Sequence, residues 1–451
     1  MTGAWEDAGI IEFMKWLKGQ GFDHLRLFIS TRRSLRLVVQ GQSLIRHECG
    51  DSKMYVVEAA WNGEYCCAYT NCLKEDTGLI RQLRETAGIY PDREIPHEIA
   101  ESKDFREQRW HEADRDAVID GLRCAEQDAL ACEKAHFVES CEYHQYEETV
   151  TLLDEQMHYL ADDDGGSTFT IRVAARDEGF VAAASKYGIV DAGVTDNFKK
   201  TACELAKRAA EDARIGLHAV RMKSGTYPIV IANCVMAEIT GHYLPMFYGE
   251  NLIHRTSALA GKEHTQIGCG LLRIEEDPFG KEGTRRRRID DEGVPVSRKT
   301  LVQEGVFENV LYNRKSGAKT GKESTGNGFK PDVTADIGTG VTNVILSCEG
   351  ETHSREELLL AAEGGIYITK IEGMFAGGST RSGEFSLLAS GNKIVDGQIG
   401  TAVSQFTISG NIFGLWKDIE MIGDDPDYKT EAGTCVVSPS VKVKELMVSG
   451  E

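Results

Sequence analysis

Thr226-Tyr227-Pro228-Ile229-Val230-Ile231-Ala232, running on into Asn233-Cys234-Val235-Met236-Ala237-Glu238-Ile239-Thr240-Gly241-His242, is the stretch on which the reading of the fold turns. Residues 229–232 form a short apolar run entered from a proline, the pattern of a buried strand. Behind it the spacing becomes helical. A strand feeding a helix at mid-chain, after a region that already carries its own strands and helices, sets a domain boundary near Lys223 to Pro228. Glu238 and His242 stand four apart, on one face of that helix, where an ordinary i,i+4 polar pair would also stand.

Upstream of this stretch, residues 5–21 interleave Ile10, Ile11, Phe13, Met14, Trp16 and Leu17 with charged residues, which predicts an amphipathic helix closed by glycine. Leu25, Leu27 and Ile29 alternate with polar neighbours, and Leu35, Leu37 and Val39 repeat the pattern after the polar residues 30–34, which predicts a hairpin. Residues 55–60 and 65–69 flank Trp61-Asn62-Gly63-Glu64, where Asn-Gly supplies the positive φ angles of a tight turn. A helix over 77–87 follows. Pro91 and Pro96 then introduce an acidic segment, 96–160, with 17 acidic and 6 basic residues, read as a solvated helical face. It closes at Asp162-Asp163-Asp164-Gly165-Gly166, a loop by composition. Strands at 168–175 and 179–185 precede a helix over 195–214. From Gly268 onward the chain is strand-rich and punctuated by glycine. The expected fold class is α+β: an N-terminal α/β domain over 1–225, followed by a strand-rich C-terminal domain over 226–451.

A chain of 451 residues is too long for one ordinary core, which agrees with two domains. Fifty-one basic against seventy-one acidic side chains leave a net charge of −20, which repels phosphate and argues against a nucleic-acid partner. No run is apolar enough to suggest a membrane span. The N-terminal segment lacks the basic start and unbroken apolar stretch of a signal peptide, so a cytoplasmic location is expected. The twelve cysteines contain no CxxC and read as thiols. Cys132, His136, Cys141 and His144 form one spaced cluster; on a helix each pair would share a face, as in a metal site or in a helix that buries cysteines and exposes histidines. Arg285-Arg286-Arg287-Arg288 is a concentrated basic patch without interleaved aromatics. With Asp290-Asp291-Glu292 beside it, it reads as an exposed loop or a salt-bridging contact with a partner subunit rather than a nucleic-acid site.

Ala237-Glu238-Ile239-Thr240-Gly241-His242 also has the frame of a metallopeptidase helix, with alanine where the first histidine ligand belongs. A zinc hydrolase needs two or three imidazoles or carboxylates on one metal, plus a carboxylate that takes a proton from the bound water. Residues five apart lie about 140° apart around a regular helix, so such a pair of ligands requires distortion. Gly241 tolerates it.

From Tyr227 to the C-terminus the chain resembles the TldD/TldE family of metallopeptidase subunits, also called PmbA or modulator of DNA gyrase. Asp290-Asp291-Glu292-Gly293-Val294 resembles the family's acidic turn before a strand, and Glu304-Gly305-Val306 the hairpin glycine that follows. The segment 312–327, with Ala318, Gly321 and Ser324-Thr325-Gly326-Asn327, is similar to the next signature. Gly365-Ile366-Tyr367-Ile368-Thr369, Gly373, Ser382-Gly383-Glu384-Phe385-Ser386, Gly391, Gly397-Gln398-Ile399 and Thr407-Ile408-Ser409-Gly410-Asn411 follow in family order. The first half, with its strand–turn–strand and Trp61-Asn62-Gly63, is similar to the family's N-terminal domain. The small residues at 376–382 and Leu387-Leu388 depart from the family pattern.

The resemblance implies a pairing of two subunits: a TldD subunit, whose His-Glu-x-x-x-His helix and C-terminal cysteine hold zinc, and a TldE subunit that lacks the set. With Ala237 at the first ligand position, Glu238 at the glutamate and His242 at the second histidine, this chain is similar to the TldE side. The resemblance therefore implies no catalytic residue and no metal or other cofactor in this chain, with His242 and Cys435 as the remaining candidate donors. Zinc is expected in a TldD-like partner of a heterodimer. A glycine-punctuated sheet with an open edge suits an extended or unfolded peptide. Two other readings stand beside this one: a self-sufficient metallopeptidase in which His254, His264 or Cys435 joins Glu238 and His242, and an acidic regulatory protein of the gyrase-modulator kind.

Overall fold

The computed structural model describes residues 8–89, 95–107, 112–190, 195–280, 285–431 and 434–451. Trp5, Pro91 and Gly433 lie outside them. The fold is mixed, 24% helix and 45% strand. Its first half runs α1 (Ala8–Gly19), β1 (Asp23–Gln40), β2 (Ser43–Trp61), β3 (Glu64–Thr70), α2 (Thr77–Thr86), β4 (Lys103–Asp104), α3 (Arg115–Leu130), β5 (Ala135–Asp154), β6 (Tyr159–Asp177), β7 (Phe180–Val190) and α4 (Thr195–Ile215). The strands form one sheet in the order β3-β2-β1-β5-β6-β4, with β7 also paired to β6. Strands this long need helices at both ends. The apolar stripe of α1, with Phe13, Met14 and Leu17, packs with Leu79 and Leu83 of α2 over Leu27, Ile29 and Val57. At the other end α3 and α4 cover Leu37, Val39, Tyr143, Phe169 and Ile171.

Three sequence expectations fail in this half, for one reason. The hairpin expected at residues 25–39 is the single strand β1, and Arg32 and Arg33 sit in mid-strand opposite Glu148 and Glu147 of β5. A polar run thus becomes a cross-strand ladder of opposite charges rather than a turn. The acidic segment 96–160 is helical only over α3; from Ala135 onward it is β5. Asp162-Asp163-Asp164-Gly165-Gly166 lies inside β6. Gly165 is required there by close approach, because a Cβ on it would stand 2.6 Å from the Tyr146 carbonyl oxygen. The Asn62-Gly63 turn is as expected, with φ of 54° and 80°, and so are the helices at α2 and α4.

The second half continues with β8 (Val220–Arg221), β9 (Gly225–Ile231), α5 (Asn233–Tyr243), α6 (Gly249–Ile253), β10 (Leu272–Glu276), β11 (Lys299–Gln303), β12 (Val306–Phe307), α7 (Arg314–Thr320), β13 (Gly328–Phe329), β14 (Gly338–Thr339) and β15 (Asn343–Cys348). It ends with α8 (Arg355–Ala361), β16 (Ile366–Glu372), α9 (Met374–Gly377), β17 (Glu384–Val395), β18 (Gln398–Asn411), α10 (Ile412–Lys417), β19 (Ile419–Ile422), β20 (Asp427–Glu431), β21 (Thr434–Ser438) and β22 (Val441–Ser449). One sheet has the order β12-β11-β10-β15-β21-β20, another β19-β22-β9-β16-β17-β18-β8. In the latter β18 also pairs with β22, Ile408 opposite Val448, so β22, β9, β16, β17 and β18 close into a ring. A single apolar core that includes Met236, Phe247, Phe307, Phe406 and Trp416 fills this half.

The two halves are clasped by charge. Asp162 and Asp164, on one face of β6, meet the arginine run that the sequence reading left on the surface. Arg285 Nε lies 2.6 Å from Asp164 Oδ2, and Arg287 Nε lies 3.3 Å from Asp162 Oδ2 while its Nη2 donates to Asp291 at 2.8 Å. Asp162 also accepts from the backbone N–H groups of Arg288 and Ile289. Arg287 is buried, which by itself lowers its pKa; Asp291 and Asp162 more than offset this and hold it above the ordinary arginine value. Arg288 pairs with Glu107 at 3.0 Å. Arg285, Arg287 and Arg288 therefore serve as an internal counter-charge rather than an exposed loop, while Arg286 remains exposed. A second junction is Glu58, which accepts from Arg26 Nε at 2.8 Å and from the Tyr65 hydroxyl at 2.9 Å. Burial alone would push this carboxyl up; Arg26 and then Lys330, from the second half, outweigh it and hold it at about 2.

Candidate functional site

Strand β9 delivers the chain into α5, whose start is fixed by Asn233: its N–H donates to Ser440 Oγ at 3.1 Å and its Nδ2 to the Asp425 carbonyl at 2.7 Å. Val235, Met236, Ala237, Ile239, Thr240 and Tyr243 are buried, leaving Glu238 and His242 on the half-exposed face. The helix is regular to Tyr243 and then tightens into a 3₁₀ turn, Leu244–Phe247. It packs on β21 so closely that a Cβ on Gly241 would lie 3.3 Å from Val436 Cγ2.

The structure places each motif position. Ala237 is fully buried in the core and offers no donor. Glu238 is held by Lys429 of β20, Nζ to Oε2 3.2 Å, so the carboxylate in the general-base position carries its own counter-ion. His242 packs edge-on against Tyr243, with ring centroids 5.1 Å apart. Its Nε2 is buried without a hydrogen-bond partner among the described residues and faces Gly378, on which a Cβ would come within 2.5 Å of it. Gly378 follows α9 within the small-residue stretch 376–382, so those residues make room for the imidazole.

The other candidate donors do not converge on it. Cys435 is fully buried on β21, opposite Asn343 and Thr430. Since Val436 faces α5 and strand side chains alternate, Cys435 faces the other way, towards Tyr187 of β7. That tyrosine is pushed up to about 12, first by burial and in part by Cys435. His254 is exposed at the end of α6, and His264 is exposed beside Glu308 at 3.5 Å. Cys132, His136, Cys141 and His144 lie on a turn and along β5 rather than on a helix; Cys141 points inward, donating to the Leu122 carbonyl, while His144 stacks on Tyr146. Among the described residues, the donors that gather within 4.8 Å of one another are Cys124, Asp128 and Cys203. Sequence reasoning missed that group; its signal was Cys124 and Asp128 spaced four apart on α3. A zinc ion therefore does not fit the residues around α5, where one position is a methyl group and the glutamate is already ion-paired.

Residues 224–450 match the PmbA/TldA metallopeptidase C-terminal domain. The chain belongs to this metallopeptidase family. It is 27% identical over 224 residues to metalloprotease PmbA of Escherichia coli O157:H7, an alignment covering 50% of this chain and 46% of that protein. It is 24% identical over 262 residues to a metalloprotease TldD homolog of Buchnera aphidicola subsp. Acyrthosiphon pisum, covering 54% of this chain and 52% of that one. The chain spans about half the length of the curated relatives it matches. Among solved structures, the gyrase-modulator-type protein TM0727 from Thermotoga maritima MSB8 superposes with a TM-score of 0.84 at 25% identity, over 98% of this chain and 99% of that one. TldE from Thermococcus kodakarensis gives 0.84 at 19% identity, over 98% and 100%, a likeness of fold. No helix of the described residues is long and apolar enough to cross a membrane.

Proposed function

We propose that this chain is a TldE-like, non-catalytic subunit of a cytoplasmic TldD/TldE-type zinc metallopeptidase. In this reading a TldD-like partner holds the zinc, and this chain helps present an extended or unfolded peptide to it. The observation that carries the reading is the state of α5: a buried methyl group at the first ligand position, and a glutamate neutralised by Lys429. Removing one ligand and tying up the base disables both halves of metal-assisted hydrolysis. The reading of an unorthodox self-sufficient site loses support from the outward positions of His254 and His264 and the reversed face of Cys435. Nothing in the clasped arginine run favours a nucleic-acid role.

The test is reconstitution. Purified alone, the chain is expected to bind no stoichiometric zinc and to leave unfolded peptides intact; mixed with a TldD-like subunit, it is expected to form a complex that cleaves them in a zinc-dependent manner. Efficient zinc-dependent hydrolysis by the chain alone, with contaminating peptidases excluded, overturns the proposal.

A further inference from the structure

Helices α3 and α4 pack along a seam of small residues, Ala125 and Ala129 against Ala202, Ala206 and Ala209, all of them fully buried. Gly121 sets how near they come: a Cβ there would stand 2.7 Å from the Phe198 ring. This close approach brings two cysteines together, with the Cys203 thiol 3.3 Å from Cys124 Sγ. Both are partly exposed, unlike the inert, fully buried Cys66 and Cys141. A carboxylate and an ammonium complete the group, Lys207 Nζ lying 3.0 Å from Asp128 Oδ2.

Two chemistries suit a thiol pair, and the geometry chooses between them. Two thiolates on one zinc stand about 3.8 Å apart, given tetrahedral geometry and a Zn–S length of ~2.3 Å. These sulfurs are closer than that. The third donor, Asp128, is already paired with Lys207, whose positive charge opposes a divalent cation.

We propose that Cys124 and Cys203 form a reversible disulfide that staples α3 to α4 when the protein meets a hydroperoxide. Rotation about the two Cα–Cβ bonds has to close the sulfurs from 3.3 Å to the ~2.05 Å of a disulfide. In the first step the Cys124 thiolate attacks a peroxide oxygen, the O–O bond breaks, and a sulfenic acid and hydroxide form. Cys203 sulfur then attacks the sulfenic sulfur, the S–O bond breaks, and the second hydroxide leaves. The two thiol protons and two hydroxides become two molecules of water when the oxidant is hydrogen peroxide. Burial and then Cys124 itself raise the Cys203 thiol to about 12; what places Cys203 for the second step is its position, 3.3 Å from Cys124 Sγ. The bond encloses β5, β6 and β7 in a covalent loop, the strand of the interdomain clasp among them.

The experiment uses the full chain carrying Cys49→Ser and Cys72→Ser, which remove the two exposed thiols. After brief treatment with hydrogen peroxide, two of the remaining thiols are expected to disappear from titration under denaturing conditions, and dithiothreitol is expected to restore them. A non-reduced tryptic digest is expected to contain the peptide of Cys124 joined to that of Cys203. Because Cys132 shares the tryptic peptide of Cys124, the linked species is expected to survive Cys132→Ser and vanish in Cys124→Ser. The oxidised protein is expected to melt at higher temperature than the reduced one. Oxidation of Cys124 to sulfinic acid without any linked peptide would overturn the proposal. So would stoichiometric zinc on the untreated chain that is lost in Cys124→Ser.

Discussion

Arg287 and Asp162 come from opposite halves of the chain and meet at 3.3 Å with side-chain exposures of only 4% and 2%. A charge that deep, stripped of its partner, is costly, on the order of 3–5 kcal/mol. Arg287→Met is therefore expected to lower the unfolding free energy by about that much, since Asp162 and Asp291 would both lose their counter-ion. Asp162→Asn is expected to be similarly harmful. The double substitution is expected to cost less than the sum of the single ones, because the two groups share one network. Denaturant unfolding of the four proteins measures this.

Glu58 makes the chain acid-sensitive in a defined window. Its folded pKa, about 2, lies below the ordinary carboxylate value. A depressed carboxyl contributes stability that is present above the unfolded pKa and is lost as pH falls through that value towards the folded one. Thermal stability is thus expected to fall between about pH 5 and pH 2. Glu58→Gln is expected to flatten that decline while lowering stability at neutral pH, where Arg26 would be left buried beside a neutral amide. Melting curves across the pH range, with and without the substitution, check the sign.

Gly165→Ala separates a strand from a loop. In a loop with ordinary φ, replacing glycine by alanine stabilises by about 0.4–1 kcal/mol. Inside β6 the new methyl group meets the Tyr146 carbonyl, and a loss of about 1–3 kcal/mol is expected instead. Calorimetry distinguishes the two outcomes by sign alone.

The errors of sequence reading cluster where charge was taken as a sign of solvent. Arg32 and Arg33, the three aspartates 162–164 and the arginines 285–288 all looked like surface, and each run is polar when read alone. Asp162, Asp164 and Arg287 are buried against partners more than a hundred residues away, and Arg32 and Arg33, although exposed, are set in mid-strand by β5 at a similar remove; local periodicity registers neither. Where apolar alternation or turn chemistry decided the matter, as at Asn62-Gly63 or along α4, the elements stand as expected. At the candidate site, the order of the glycine motifs was legible and the alanine at 237 was plain. The Lys429 counter-ion and the cradle at Gly378 were not, since both depend on how β20 and the α9–β17 loop return to α5.

Ala237→His tests whether the missing ligand alone silences α5. Ala237 is fully buried, so an imidazole there overpacks the core. A destabilisation of about 1–3 kcal/mol is expected. Zinc binding is expected to be weak at most, because Glu238 stays paired with Lys429 and, among the described residues, no third donor gathers with His242. Metal analysis and peptide hydrolysis by the variant alone report on this. Robust zinc-dependent turnover would show that a single side chain separates this chain from an active enzyme.

The ring of β22, β9, β16, β17 and β18 carries a consequence for the order of events during synthesis. Strand β9 leaves the ribosome early, yet one of its two edges is covered only by β22, over two hundred residues later. Until then Thr226 to Ile231 present an open apolar edge, and closing so long a loop is slow. The first half has no such wait for its own sheet, since β1 to β7 are complete before β9 appears. The nascent chain is thus a folded head trailing an unfinished barrel, and that interval is when a chaperone has most to hold.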